Sequence, residues 1–116
     1  MKKTNLVQAT RNSLRGLLVL FSQKSAQREL GLLLAALVAY AHQPLIYLEI
    51  IILLIGLMLA FESLNTAIEK LSDLVEPNFS PTIKDVKDLG SSSILIVIIL
   101  IACILIRYAG EFHAGR

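Results

Sequence analysis

Cysteine, charge and the glycine-rich signatures of nucleotide binding are all scarce in this chain. Cys103 is the lone cysteine, so no intrachain disulfide can form; inside an apolar run it reads as a packing or lipid-facing residue. The two histidines do not cluster with it, which excludes a zinc site. No G-x-x-x-x-G-K-[ST] loop, G-x-G-x-x-G turn or nucleophile elbow occurs. Any phosphate chemistry must therefore rest on a site of another kind. Charged residues make up 17% of the 116 residues and hydrophobic ones 55%. That balance is too apolar for a soluble domain of this size, and a net charge of +2 gives no reason to expect a nucleic-acid partner.

What is present is clustered hydrophobicity. Leu30 to Leu48 carries no charge, Ile50 to Phe61 is almost wholly aliphatic, and Leu89 to Ile106 is again uncharged. A bilayer core takes roughly 20 apolar helical residues to cross, so three spans are expected, at about 26–41, 44–64 and 90–108. The first is the weakest, since His42, Gln43 and Pro44 cut it short; its competing assignment is a buried core helix. Six of the eleven Lys and Arg residues precede its charge-free stretch: Lys2, Lys3, Arg11, Arg15, Lys24 and Arg28. Lys70, Lys84 and Lys87 lie between the second and third stretches, and the turn between the first two has none. Counted over short loops, this bias puts the N-terminus and the second loop in the cytoplasm. Arg107 and Arg116 at the other end oppose it without reversing it. Met1-Lys2-Lys3 resembles the start of a signal peptide, but no apolar stretch follows before Arg11 and Arg15, so the first span is expected to be retained.

Residues 5–21 read as a surface helix. Leu6, Leu14, Leu17 and Phe21 share one side, and Gln8, Arg11, Asn12, Arg15 and Ser22 another, as suits the headgroup layer. The short His42-Gln43-Pro44 link makes the first two spans a tight hairpin, with His42 as a turn residue and Glu49 as an interfacial carboxylate. The second helix is expected to run to about Val75, where Pro77 ends it. Ser80-Pro81 then starts a helix, with Ser as N-cap and Pro as first residue. The chain thus reads as one all-α membrane domain over 1–116.

The informative polar stretch is Phe61–Asp73. On a helix Glu62, Asn65, Glu69 and Asp73 share an arc of about 80°, with Leu64, Ala67, Ile68, Leu71 and Leu74 opposite. Carboxylates so placed at a membrane edge repel one another and are costly to desolvate; they usually face a polar interior and mark a functional path. Across the loop Lys84, Lys87, Asp88 and Ser91 form a second stripe, which alternatively could simply meet anionic headgroups. If the two helices are antiparallel neighbours, acids and lysines converge. Carboxylates can hold Mg²⁺, lysine can neutralise phosphate, and another carboxylate can take a proton from a hydroxyl. Phosphoryl transfer to a lipid alcohol would fit. A small proton-coupled or multidrug transporter is the rival from another class, although such proteins usually need a fourth span and carry their acid in the first.

Glu62-Ser63-Leu64-Asn65-Thr66-Ala67-Ile68-Glu69, then Asp73, then Lys87-Asp88-Leu89-Gly90-Ser91 resemble the small bacterial diacylglycerol kinase family, which includes undecaprenol kinases. The resemblance covers most of the chain from Ser13 onward. It implies a homotrimer, each subunit with a surface helix and three spans in the bacterial inner membrane, and ATP- and Mg²⁺-dependent sites shared between subunits at the cytoplasmic interface. By that match Glu62 is the general base toward the lipid hydroxyl and Asn65 supports catalysis. Glu69 is the metal ligand on the ATP phosphates. Lys87 and Asp88, with Asn78, Phe79 and Ser80, contact ATP. Ser91 borders the lipid headgroup and Asp73 organises the site. Towards the N-terminus Lys24 falls where the family has a second metal-binding glutamate, and Glu29 is the nearest substitute; Asn5 or Arg11 stands for a basic substrate contact. The acceptor expected is diacylglycerol, from Gly90-Ser91-Ser92, although Asp73-Leu74-Val75 with Pro77 and Pro81 looks more like the undecaprenol type.

Overall fold

The computed structural model describes residues 5–114, apart from the side chain of Phe112. Lys2, Lys3 and Arg116, which entered the charge asymmetry, lie outside them. The described residues form four helices: α1 (Leu6–Phe21), α2 (Lys24–Ala39), α3 (Leu45–Val75) and α4 (Pro81–Ala114).

Each boundary has a local cause. Asn5 has extended backbone and its Oδ1 accepts from the Gln8 N–H at 2.8 Å, closing an orphan donor of α1. Asn5 is thereby engaged as a cap. Between α1 and α2 the Gln23 N–H donates to the Leu20 carbonyl at 3.0 Å, and Leu20 and Ala26 are buried at the corner. α2 stops at Ala39, two residues before the expected end of the first span, because the Gln43 N–H turns back onto the Tyr40 carbonyl and Pro44 is extended. At the other long connection the Asn78 N–H bonds Glu76 Oε1 at 3.0 Å. Ser80 opens α4: its Oγ accepts from the Ile83 N–H at 3.4 Å and its carbonyl from the Lys84 N–H at 2.9 Å.

α3 is the central element, packed along α4 on one side and α2 on the other, with α1 against α2 and α3. Ile51 and Ile55 of α3 and Tyr108 of α4 form the buried cluster, flanked by Leu33 and Ala36 of α2 and by Tyr40 just after it. Few other apolar side chains are covered: Leu53 is 62% exposed and Ile96 58%. On α1 Leu6 and Leu14 are exposed as well, and Leu20 is the residue that seats that helix.

α3 and α4 are long and apolar enough to cross a membrane. With 16 residues, α2 rises about 24 Å, short of a hydrocarbon core of about 30 Å. Two of the three expected spans therefore meet the length requirement as single helices. The outward apolar surface of α3 and α4 suits lipid or further chains rather than water.

Candidate active site

α3 extends beyond the segment expected to cross the bilayer, and at the end of that segment its sequence changes from Ile/Leu-rich to Glu62-Ser63-Leu64-Asn65. The first half of the polar arc is held against its neighbours instead of facing outward: Glu62 and Asn65 are buried at 7% and 6% exposure. Asn65 Nδ2 donates to Glu69 Oε1 at 3.2 Å, the i, i+4 contact of a helix face. Asn65 Oδ1 is buried with no hydrogen-bond partner and abuts Gly90 of α4. Glu69 and Asp73, farther along, are exposed.

α2 brings two groups to Glu62. Ser25 Oγ donates to Glu62 Oε1 at 2.7 Å, and the buried carboxyl of Glu29 stands beside that of Glu62. Glu29 Oε2 itself has no partner. The resemblance would make Glu29 a metal ligand, yet the carboxyl it meets is that of Glu62, about 10 Å along α3 from Glu69 at the usual helical rise. Lys24 is exposed at the first position of α2.

Of the stripe on α4, one residue reaches α3: Lys87 Nζ lies 2.5 Å from Asp73 Oδ1. Lys84 turns along its own helix to Asp88 Oδ2 at 2.6 Å, both groups being exposed. The Asp88 hydrogen bond and charge hold the Lys84 ammonium above the usual lysine range. Ser91, Asn78 and Phe79 are exposed and Ser80 half-buried; Ser80 is used as the α4 cap.

Beside the Ser25–Glu62 contact opens a cleft of about 320 Å³. Ser25, Arg28 and Glu29 line its polar part, and Leu32, Met58, Ile98 and Ile101 the remainder. Such a cleft suits an amphipathic molecule with a polar head and an apolar body.

Among the described residues no three His, Cys, Asp or Glu side chains converge as a metal cage. Mg²⁺ does not need one, because it keeps waters and takes substrate phosphates beside one or two carboxylates. The exposed Glu69 carboxylate, steadied by Asn65, fits that demand.

Ser25 was not legible as a site residue. Its one signal is its i, i+4 spacing from Glu29, which puts both on the face of α2 that meets α3.

The model of a family described as prokaryotic diacylglycerol kinase matches residues 11–108, a stretch holding every polar contact between Ser25 and Asp88 given above. A Sinorhizobium sp protein named diacylglycerol kinase is 35% identical over 97 residues, covering 82% of this chain and 71% of that protein. No solved structure matches the chain.

Proposed function

The chain belongs to the prokaryotic diacylglycerol kinase family and is a lipid kinase with an alcohol acceptor; from that premise we propose that it converts diacylglycerol to phosphatidic acid with ATP, at the cytoplasmic face of a bacterial inner membrane. A transporter is excluded by the same membership. The observation that carries the assignment of the site is the pairing of a buried carboxylate, Glu62, with an adjoining cleft whose lining passes from polar to apolar.

Glu62 accepts the proton of the acceptor hydroxyl as that oxygen bonds to the γ-phosphorus and the bond to ADP breaks. The glyceride body occupies the apolar part of the cleft, which keeps water from competing as nucleophile. Asn65 supports the site through Glu69. Lys87, steadied by Asp73, supplies positive charge to phosphate oxygens, with Asp88 and the Asn78–Phe79–Ser80 loop bordering the nucleotide and Ser91 the lipid headgroup. Glu69 is the residue suited to hold Mg²⁺, which when bound neutralises phosphate charge; Glu29 stands with Glu62. Three spans per subunit, a cytoplasmic N-terminus and a homotrimer complete the proposal. The uncovered apolar faces of α3 and α4 support it, as does the excess of Lys and Arg up to the first turns of α2.

The test is transfer of labelled phosphate from ATP to lipid by the purified protein in mixed micelles, with diacylglycerol and undecaprenol offered separately. Product on diacylglycerol is expected. Product on undecaprenol alone would replace the acceptor, and product on neither would overturn the catalytic proposal.

A further inference from the structure

We propose that Ser25 is a positioning residue for Glu62, fixing one carboxylate oxygen so that the other faces the acceptor hydroxyl. This rests on Glu62 being the base of the kinase reaction.

A serine in a helix ordinarily returns its hydroxyl proton to a carbonyl of the preceding turn. Ser13 does so to Ala9, Ser92 to Leu89, Ser93 to Gly90, and Thr10 likewise to Leu6. Ser25 is the second residue of α2, so no preceding turn of its own helix offers it a carbonyl. The carbonyl four residues before it, that of Phe21 at the end of α1, accepts from Gln27 Nε2 at 3.0 Å. The Ser25 hydroxyl crosses instead to Glu62 Oε1, 37 residues away in sequence, at 2.7 Å.

The surroundings hold that contact in place. Ala26, the next residue, is wholly buried and Leu20 nearly so, which seats the start of α2 at the α1 corner. Glu29, one turn on, is buried on the same face of α2. The terminal torsion of a glutamate is broad and rotates easily. A single hydroxyl donor is enough to select one orientation, because a hydrogen bond to a carboxylate is shorter and stronger than a neutral one. With Oε1 so engaged, Oε2 is the oxygen left to receive a proton. Ser25 also lines the adjoining cleft, so the group that orients the base stands beside the acceptor.

The experiment uses the full chain in mixed micelles with diacylglycerol and ATP, comparing wild type, Ser25→Ala, Ser25→Thr, Glu62→Asp and the double variant Ser25→Ala/Glu62→Asp. Ser25→Ala is expected to lower kcat about tenfold with KM for ATP unchanged. Ser25→Thr, which keeps the hydroxyl, is expected to restore most of it. The shorter Asp carboxylate is out of reach of Ser25, so adding Ser25→Ala to Glu62→Asp should cost nothing further. Wild-type kcat in Ser25→Ala, an equal loss in Ser25→Thr, or additive losses in the double variant would each overturn the positioning role while leaving the kinase assignment intact. An inactive wild type would overturn both.

Discussion

Gly90 of α4 lies so close to α3 that a Cβ built on it would overlap Asn65 Oδ1 and come within 3.6 Å of Ile68 Cδ1. The absence of a side chain at this position is what lets Asn65 stay beneath α4 and donate to Glu69. Gly90→Ala should force the Asn65 amide to rotate. The obstructing atom is the end of a side chain, and alanine is favoured over glycine in a helix by about 1 kcal/mol, so stability should change by less than about 1 kcal/mol. Turnover should fall at least about tenfold, because the Asn65–Glu69 contact is lost. Turnover and thermal inactivation measured on the same preparation check this; unchanged turnover would remove Asn65 placement from the mechanism.

Glu62→Gln should abolish turnover, by about a hundredfold or more, the usual contribution of a positioned base. The amide oxygen can still accept from Ser25, so the contact at 2.7 Å survives in kind and the variant should remain folded. Retained activity in Glu62→Gln would refute the base assignment.

Much of this architecture was legible because helical periodicity is local. The start of α1 at Asn5, the end of α3 at Val75 and the start of α4 at Ser80-Pro81 follow from caps and prolines within a few residues of each boundary. The arc from Glu62 to Asp73 needed only the helical repeat. What was hidden depends on which faces meet. Lys84 and Lys87 lie one turn apart and look equivalent in sequence, yet Lys87 crosses to Asp73 while Lys84 folds onto Asp88. Ser25 and Gly90 carry no pattern of their own, since a hydroxyl and a missing Cβ acquire meaning only from a partner on another helix. α2 ends before the expected boundary of the first span because the backbone turns at Tyr40, before the apolar composition ends.

The Asp73–Lys87 pair tests function separately from stability. Its side chains are 65% and 39% exposed, and exposed ion pairs contribute only about 0–1 kcal/mol. Asp73→Asn should therefore leave thermal inactivation nearly unchanged while raising KM for ATP several-fold, because Lys87 loses the partner that fixes its ammonium. Lys87→Met should raise that KM further, and Asp73→Asn added to Lys87→Met should have little additional effect. Independent effects in the double variant would mean that Asp73 acts on the nucleotide by another route.

The far end of the bundle should behave in the opposite way. Tyr108, buried at 6% exposure, stands edge-on to Tyr47 with ring centres 4.4 Å apart and to Tyr40 at 6.3 Å. The Tyr47 hydroxyl donates to Glu111 Oε2 at 3.0 Å, and Arg107 Nε donates to Glu111 Oε1 at 3.2 Å. These contacts tie the ends of α2, α3 and α4 together. They lie about 27 Å along α4 from Gly90 at the helical rise, too far to touch the Glu62 site. Two aromatic contacts at about 0.5–1.5 kcal/mol each predict that Tyr108→Ala destabilises the protein by about 1–3 kcal/mol. Tyr108→Phe keeps both ring contacts and should be near neutral. Thermal inactivation in micelles should separate the two variants, while initial turnover at low temperature should match wild type for both. A loss of initial turnover in folded Tyr108→Ala would mean that this aromatic clasp is coupled to the site through α3 and α4, instead of merely holding the helices together.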